Sequence, residues 1–519
     1  MAGTKLTPEE QAAQEIGRTE LLGAKTARWL TLLFLTSIGV VLPLQLVYES
    51  AGGKSLQILD LFEAAPSAEH FSSFEAAHED ASFLQAFVQP RLQVAFSRFG
   101  GFGNTKTVVG GQGWLYYEPG VSHLTGFPPF DPDLLERRKM LGARNPDPRI
   151  AIEAMAKNLA EHGIELILLP VPDKASVHPE FLTKRRRDPL PDPAIGELKT
   201  WAEEREIRVL DIFPVFASER EEQGRAFLAQ DTHWTPSAME RVAKKVAAEI
   251  SVNGTAPVAW QKSEKTATRV GDLVDMLQLP EGQTLFPPET VSLQQILDEE
   301  GQPWRSIRRS PVLLLGDSFT NIFHLEEMEW GTSSGFGAHL AYQLGSAIDQ
   351  IAINGGGSDA VRIELSRRNN PLQGLQTVVW QFSARDLSHG SWPVVTYAAP
   401  RDEEEEEEDE DTEDLIVTGR LTNVPPTPSV SAPYANARGA FLLEVEEAEG
   451  PRAPEIGSEI LIQAALMENR QLQPAARWRE NEQVTLTLKR GVPEEWSGRE
   501  LLDETFVFDD RTLYWVISD

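Results

Sequence analysis

The 519-residue chain contains no cysteine. That excludes a disulfide framework, a thiol nucleophile and a cysteine-ligated metal. It does not identify a compartment, because an oxidising space tolerates cysteine-free proteins as readily as the cytosol does. Positive charge is scarce as well: 48 Lys and Arg face 79 Asp and Glu, for a formal net charge of −31 at pH 7. Twelve of the acidic residues fall in the single run 402–414, and the rest of the chain still carries an acidic excess of 19. Nucleic acid and anionic membrane surfaces are therefore not expected partners.

What is present begins with a 41% apolar composition, enough for real cores, and a length that calls for two or three domains with linkers. Residues 29–47, WLTLLFLTSIGVVLPLQLV, are nineteen positions without a formal charge, flanked by Lys25 and Arg28 before and Glu49 after. That length just spans a bilayer. The Lys and Arg residues close to the segment place its N-terminal side in the cytoplasm and everything after residue 48 outside the inner membrane. Two competing readings are a buried core helix and a cleaved signal peptide; the run is longer than a usual signal h-region, and no clean small-x-small site follows it. The expectation is an uncleaved anchor over residues 1–48.

Residues 49–99 read as a helical stalk or cap, and residues 105–117, with a glycine turn between two apolar stretches, as a hairpin. From about residue 148 short apolar runs at 164–170, 207–210, 312–315, 348–353 and 377–382 alternate with helical patterns. These imply an open α/β sandwich with a mostly parallel sheet. Residues 251–310 interrupt the alternation as a polar insertion that either shapes a cleft or is decoration. The run 396–414 is expected to be a linker, because dense like charge repels itself and has nothing apolar to bury. Residues 415–519 carry five short, often alternating runs, at 415–421, 440–446, 459–465, 483–489 and 513–517, which fit a small β-barrel or sandwich.

Two motifs carry chemistry. Asp231-Thr232-His233-Trp234 follows the 207–210 run, and Gly316-Asp317-Ser318-Phe319 directly follows the 312–315 run. Ligands of open α/β sheets bind beyond the carboxyl ends of the strands, and both motifs lie there. A serine hydroxyl becomes a useful nucleophile when an imidazole takes its proton, and the imidazole works best when a carboxylate fixes its tautomer. Ser318, His233 and Asp231 supply these groups. The plain alternative is that Asp231 and Ser318 merely cap the helices that follow and that His233 is a packed or surface histidine. A strand turning sharply into a helix at Ser318 exposes the hydroxyl beside free backbone N–H groups, which stabilise an oxyanion. Asn354, Gly355 and Gly356 follow the next run and either complete that hole or only permit a tight turn.

The combination of Gly113-Trp114-Leu115-Tyr116-Tyr117, Pro172-Asp173-Lys174, Asp231-Thr232-His233-Trp234, Gly271-Asp272-Leu273, Gly316-Asp317-Ser318-Phe319 and Trp380-Gln381-Phe382 resembles the alginate O-acetyltransferase family of AlgX and AlgJ type. The likeness covers roughly residues 100–390, including an Asp-x-His pair placed before the serine. It implies an SGNH-hydrolase-like (flavodoxin-like) sandwich over 100–395, with Ser318 as nucleophile, His233 as general base and acid, and Asp231 as orienting acid. It further implies work in the periplasm of a Gram-negative bacterium, acetyl transfer to an exopolysaccharide acceptor and a membrane-bound acyl-donor protein as partner; no cofactor or metal is expected. The carbohydrate-binding module expected after an AlgX-type domain is replaced here by the acidic run and a short β unit.

Arg385 and Lys174 are candidates for a local basic patch that would meet an acidic polymer, and Trp234, Trp114 and Tyr116 for stacking on sugars; solvation and core packing are the ordinary alternatives. Water in place of the sugar hydroxyl makes the same residues an acetyl-esterase. A polysaccharide-binding or assembly protein with a decayed site is the non-enzymatic reading.

Overall fold

The computed structural model describes residues 24–51, 56–62, 71, 74, 82–143, 145–253, 257–368, 370–397, 414–428, 436–450, 453–490, 500–502, 511 and 513–518. Most of the run expected to be a linker, and residues 52–55, 63–70, 72–73 and 75–81 of the expected stalk, lie outside them. The chain separates into two compact units, residues 1–92 and 93–519.

In the first unit, helix Ala24–Ala51 contains the charge-free run, with Pro43 inside it. Its Lys25–Ala51 portion is long and apolar enough to cross a membrane. Near its C-terminal end the Gln45 amide donates to Glu49 Oε1 (2.7 Å), and Gln45 Oε1 accepts the Phe83 N–H (2.8 Å).

The first strands of the second unit form the expected hairpin, β1 (Thr107–Val109) against β2 (Leu115–Tyr117), antiparallel. Strands β3 (Glu165–Val171) and β4 (Arg208–Val209) follow, then an antiparallel ribbon of β5 (Gln261–Arg269) and β6 (Glu289–Leu297). Strands β7 (Val312–Gly316), β8 (Asp349–Ala352) and β9 (Thr377–Ser383) complete the α/β part. The central sheet has the order β4-β3-β9-β7-β8, and every neighbouring pair is parallel. Sheets of this kind are covered on both faces, so their strands read as continuous apolar runs. Strand β7 makes the point: Val312 and Leu314 belong to one buried cluster, Leu313 and Leu315 to another on the opposite face. The first cluster includes Met239 and Val242 from helix Pro236–Ala247, and the second Met155 and Leu159 from helix Pro148–Glu161.

The polar insertion is the β5–β6 ribbon with short helix Asp272–Met276 between its strands. Its sequence is polar because β5 is largely exposed, whereas Val291, Leu293 and Ile296 of β6 enter the core. It is not decoration. A Cβ at Gly271 would lie 2.2 Å from the Gln230 carbonyl oxygen and 2.6 Å from the Asp231 nitrogen, so the insertion packs backbone against backbone on the loop that leads to His233.

The C-terminal residues form β10 (Leu415–Asn423), β11 (Ala437–Glu449), β12 (Glu459–Glu468), β13 (Gln471–Leu472), β14 (Gln483–Arg490), β15 (Glu500–Leu502) and β16 (Leu513–Ser518). Strand β10 pairs with β11 and β14, β11 with β12, β12 with β16, and β16 with β14, so the pairings run in a closed circuit. These five strands correspond to the five expected runs. The short β13 and β15 have too little alternation to be legible in the sequence.

Candidate active site

The site is built at the carboxyl edge of the parallel sheet, from the ends of β3, β7 and β9 and the loop ahead of helix Pro236–Ala247. That loop is held at both ends. The Leu228 N–H donates to the His233 carbonyl (3.0 Å), the Thr235 N–H to that of Ala226 (2.9 Å), and the Thr235 hydroxyl caps the helix by accepting from the Ala238 N–H (3.2 Å). Thr235 followed by Pro236 is a favourable start for a helix, with the cap supplied by one residue and the pre-set φ by the next.

Within the loop, Asp231 turns back on its own chain. Its Oδ1 accepts both the His233 backbone N–H (3.1 Å) and the Nδ1 proton (2.7 Å). Its Oδ2 accepts the Asp272 N–H (3.1 Å) and the Trp330 indole N–H (3.1 Å). The other ring nitrogen, Nε2, lies 2.8 Å from Ser318 Oγ. Asp231 and His233 are buried. Burial alone would raise the Asp231 pKa, but the hydrogen bond from His233 and the charges of His233 and Arg269 hold the carboxyl well below the usual range. Burial would lower that of His233, and the hydrogen bond and charge of Asp231, with Asp272 and Asp317 behind them, raise it instead.

Ser318 begins helix Ser318–Asn321 two residues after the end of β7, with Asp317 between them. Asp317 is a structural neighbour, as its position suggests: Oδ1 accepts the Phe319 N–H (2.8 Å) and the Gln381 amide (2.8 Å), and Oδ2 accepts the Ser383 N–H and hydroxyl (both 3.1 Å). The Phe319 amide is thus already engaged, contrary to the expectation that the amides beside the serine are free. Asn354 lies across from the helix, with its Oδ1 accepting from the Asn321 amide (3.0 Å) and its Nδ2 donating to the Met328 sulfur (3.2 Å). Gly355 has φ +76°, which meets the tight-turn reading, and Gly356 follows with its N–H on the Ile353 carbonyl (3.0 Å).

Four of the five residues expected on a sugar-binding surface lie in the interior instead. Trp234 is fully buried, packed on Phe319 with ring centroids 5.3 Å apart, and the His233 ring meets the same Phe319 at 4.8 Å. Trp114 stacks on Phe181 at 4.4 Å, and the buried Tyr116 donates its hydroxyl to the His178 carbonyl (2.5 Å). Lys174 is buried with its ammonium donating to the carbonyls of Leu115 (2.6 Å), Ala229 (2.8 Å) and Asp231 (3.0 Å), so it fixes the loop and contributes nothing to a basic patch. Aromatics and lysine stems at this edge are consumed by packing. Arg385 is only a partial exception, its side chain 13% exposed. Its guanidinium lies 5.8 Å from the Phe319 ring and 5.1 Å from that of Tyr117, and Nη1 bonds Asp173 Oδ1 at 3.3 Å. Tyr117, Gly120, Asp173 and Thr232 line a small pocket on that side.

Among the described residues, two groups bring histidine and carboxylate ligand atoms close enough to share an ion: Asp231, His233 and Asp272, and His123, Asp173 and Asp192. In both, hydrogen bonding accounts for the approach. His123 bridges Asp192 (2.8 Å) and the Ser388 hydroxyl (2.6 Å), and Arg385 already supplies a cation to Asp173.

The sequence reading missed the contribution of Asp272. Its Oδ1 accepts the Thr232 N–H (2.8 Å), and its Oδ2 lies 3.8 Å from His233 Nδ1, so two carboxylates face one imidazole nitrogen. The motif Gly271-Asp272-Leu273 was visible, but nothing local connects it to a histidine 39 positions earlier. Burial, together with the charge of Asp231, raises the Asp272 pKa to about 6. A base must be neutral to act, so activity should rise as pH increases through the raised His233 pKa. Removing the Asp272 charge lowers that pKa and weakens the imidazolium formed in the reaction. Asp272→Asn is therefore expected to reduce plateau kcat/KM by about tenfold and to move the acid limb of the pH–rate profile to lower pH. Below about pH 6, where the parent Asp272 is itself protonated, the two proteins should converge. An unmoved acid limb would rule out this role for Asp272.

With the geometry established, comparison with known proteins places the chain. A model of the family described as SGNH hydrolase-like domain, acetyltransferase AlgX, matches residues 107–384. A probable alginate O-acetylase AlgJ of Pseudomonas putida is 28% identical over 248 residues, which is 46% of this chain and 62% of that protein. The corresponding protein of Pseudomonas aeruginosa is 25% identical over 305 residues, 56% of this chain and 72% of that one. Among solved structures, the O-acetyltransferase domain of Pseudomonas putida AlgJ has a TM-score of 0.42 at 24% identity, covering 54% of this chain and 92% of that one. The matched family region contains Asp231, His233, Asp272, Ser318 and Asn354, and through it the chain belongs to the AlgX family of SGNH hydrolase-like acetyltransferase domains.

Proposed function

We propose that the protein is an exported O-acetyltransferase, anchored by helix Ala24–Ala51 in the inner membrane of a Gram-negative bacterium, that moves acetyl groups onto an exopolysaccharide in the periplasm. The observation that carries this reading is the continuous chain Asp231 Oδ1, His233 Nδ1, His233 Nε2, Ser318 Oγ, with links of 2.7 and 2.8 Å. Family membership supports the reaction class. The catalytic part is assigned to residues 100–395, with residues 1–48 as anchor, 49–99 as stalk or cap, 396–414 as linker and 415–519 as a separate β domain.

In the first step Ser318 Oγ attacks the carbonyl carbon of an acetyl donor while His233 Nε2 takes the hydroxyl proton. Asp231 holds Nδ1–H and stabilises the imidazolium. Negative charge gathers on the former carbonyl oxygen, where the Ser318 N–H and the Asn354 amide are the candidate donors, with Gly355 and Gly356 shaping the turn. Collapse breaks the bond to the leaving group, which receives the proton from His233, and leaves acetyl-Ser318. A sugar hydroxyl then attacks the acyl carbon, His233 accepts its proton, and Ser318 Oγ departs and recovers that proton. Arg385 is assigned to the acceptor side of the cleft, next to Phe319. The donor is expected to come from a membrane-bound acyl-donor protein.

Water entering the second step would release acetate, so the esterase differs only in what the cleft admits. The discriminating experiment incubates the protein with an activated acetyl ester and candidate oligosaccharides and compares acetylated sugar with free acetate. Serine-dependent acetylated sugar is the expected outcome. Acetate alone with every acceptor would favour the esterase, and no serine-dependent turnover on any donor would favour a binding or assembly protein.

A further inference from the structure

The net charge of −31 argues against an anionic surface for the chain as a whole, but residues 81–117 depart from it locally: they contain Arg91, Arg98 and Lys106 and not one Asp or Glu. In the part of this stretch that opens the second unit, Phe96, Phe99 and Phe102 are 53%, 85% and 65% exposed. Three phenylalanines facing solvent within seven residues are unusual for a water-facing surface, and a loose backbone does not explain them. The buried Ser97 donates its hydroxyl to the Phe102 carbonyl (3.0 Å), the Gln93 amide donates to the same oxygen (3.1 Å), and the Phe102 N–H donates to the Phe96 carbonyl (3.2 Å). Gly101, at φ +64°, makes the turn these bonds close. A polar side chain is turned inward and the aromatic rings are held outward, with the Arg98 guanidinium 5.9 Å from the Phe99 ring.

We propose that the turn at residues 96–102 docks on the anionic phospholipid surface of the membrane that holds helix Ala24–Ala51; the inference rests on the anchor reading above. Exposed aromatics beside basic side chains are what a lipid interface takes up, the rings entering the headgroup boundary and the cations meeting lipid phosphates. The acidic remainder of the chain is repelled by the same surface, so the patch sets which side faces the bilayer. It also lies close along the chain, since Phe96 comes 45 residues after the anchor helix ends at Ala51.

Docking would reach the candidate active site. The Asn104 amide donates to the Met276 carbonyl (2.7 Å) and the Thr107 hydroxyl to that of Leu273 (3.2 Å), tying the segment after the turn to helix Asp272–Met276, whose first residue faces His233. A docked turn therefore holds the cleft at a set height above the bilayer.

The absence of cysteine makes the test direct. Single-cysteine variants of the full chain, Phe99→Cys, Phe102→Cys, Leu33→Cys in the anchor and Ile150→Cys on an exposed helix position, are labelled with bimane. They are reconstituted in phosphatidylethanolamine–phosphatidylglycerol vesicles bearing lipid-attached nitroxides. Labels at 33, 99 and 102 should be quenched several-fold more than the label at 150, and Arg98→Glu should relieve the quenching at 102. Quenching at 33 but not at 99 or 102 would overturn docking and leave the anchor standing, whereas none at 33 would overturn the anchor itself. Equal quenching at 99 in phosphatidylcholine vesicles would remove the role of charge. Self-quenching at 99 that grows with protein density, without lipid quenching, would place a second copy on the patch and overturn the lipid assignment.

Discussion

Ser318→Ala should lower serine-dependent acetyl transfer by about 10⁴-fold or more without unfolding the protein. The hydroxyl is engaged with His233 Nε2 at 2.8 Å, while the turn around it is held by Asp317, Gln381 and Ser383. Alanine leaves those bonds in place, so the change in stability should stay under about 1 kcal/mol. What disappears is the atom that carries the acyl group between donor and acceptor, and with it the acetyl adduct that intact-mass measurement would trap on the parent protein. A variant that keeps transfer within tenfold of the parent, or still accumulates the adduct, would move the nucleophile elsewhere and sink the two-step scheme.

The largest effect on stability is expected away from the reacting atoms. Lys174→Met should cost about 2–4 kcal/mol, read as a lower urea midpoint at unchanged slope. Methionine fills much of the same space but donates no hydrogen bond. The carbonyls of Leu115, Ala229 and Asp231 would then be left without the ammonium that now serves all three. Because one of those carbonyls belongs to Asp231 itself, activity should fall beyond what the unfolded fraction explains. Lys174→Arg is no substitute, since a planar fork cannot reproduce a compact ammonium pointing at three oxygens. An unchanged midpoint in Lys174→Met would mean that the loop is held by other contacts.

Much of this was legible in the linear chain. Five short runs located the five parallel strands, most plainly at 312–315, where a strand buried on both faces is apolar at every position; β4 is no more than the half-buried pair Arg208 and Val209, and β8 begins with Asp349 and Gln350. The Asp-x-His spacing was legible because the bond between Asp231 and His233 closes within one turn of the same loop. Asp272 was not, since its approach to His233 is made by an insertion folding back. The aromatic and lysine candidates failed for a related reason. Residue type says that Trp234 or Lys174 can bind a ligand, but only the fold says that Phe319 and three carbonyls already occupy them. In the C-terminal part alternation located the five main strands, while the closed circuit depends on which strands meet, and pairing across long separations leaves no local trace.

Strand β7 has a consequence for how such a protein could lose its activity. Since Val312 and Leu314 face one core and Leu313 and Leu315 the other, sliding the strand by a single position would send each pair to the wrong side. The direction in which Ser318 leaves the sheet is therefore inherited from four aliphatic side chains that no substrate ever meets. Substitutions that merely rebalance the volumes of the two cores could rotate the hydroxyl out of line with His233. A sequence could keep Asp231, His233 and Ser318 intact and still be inactive, its fault written in its grease and not in its chemistry.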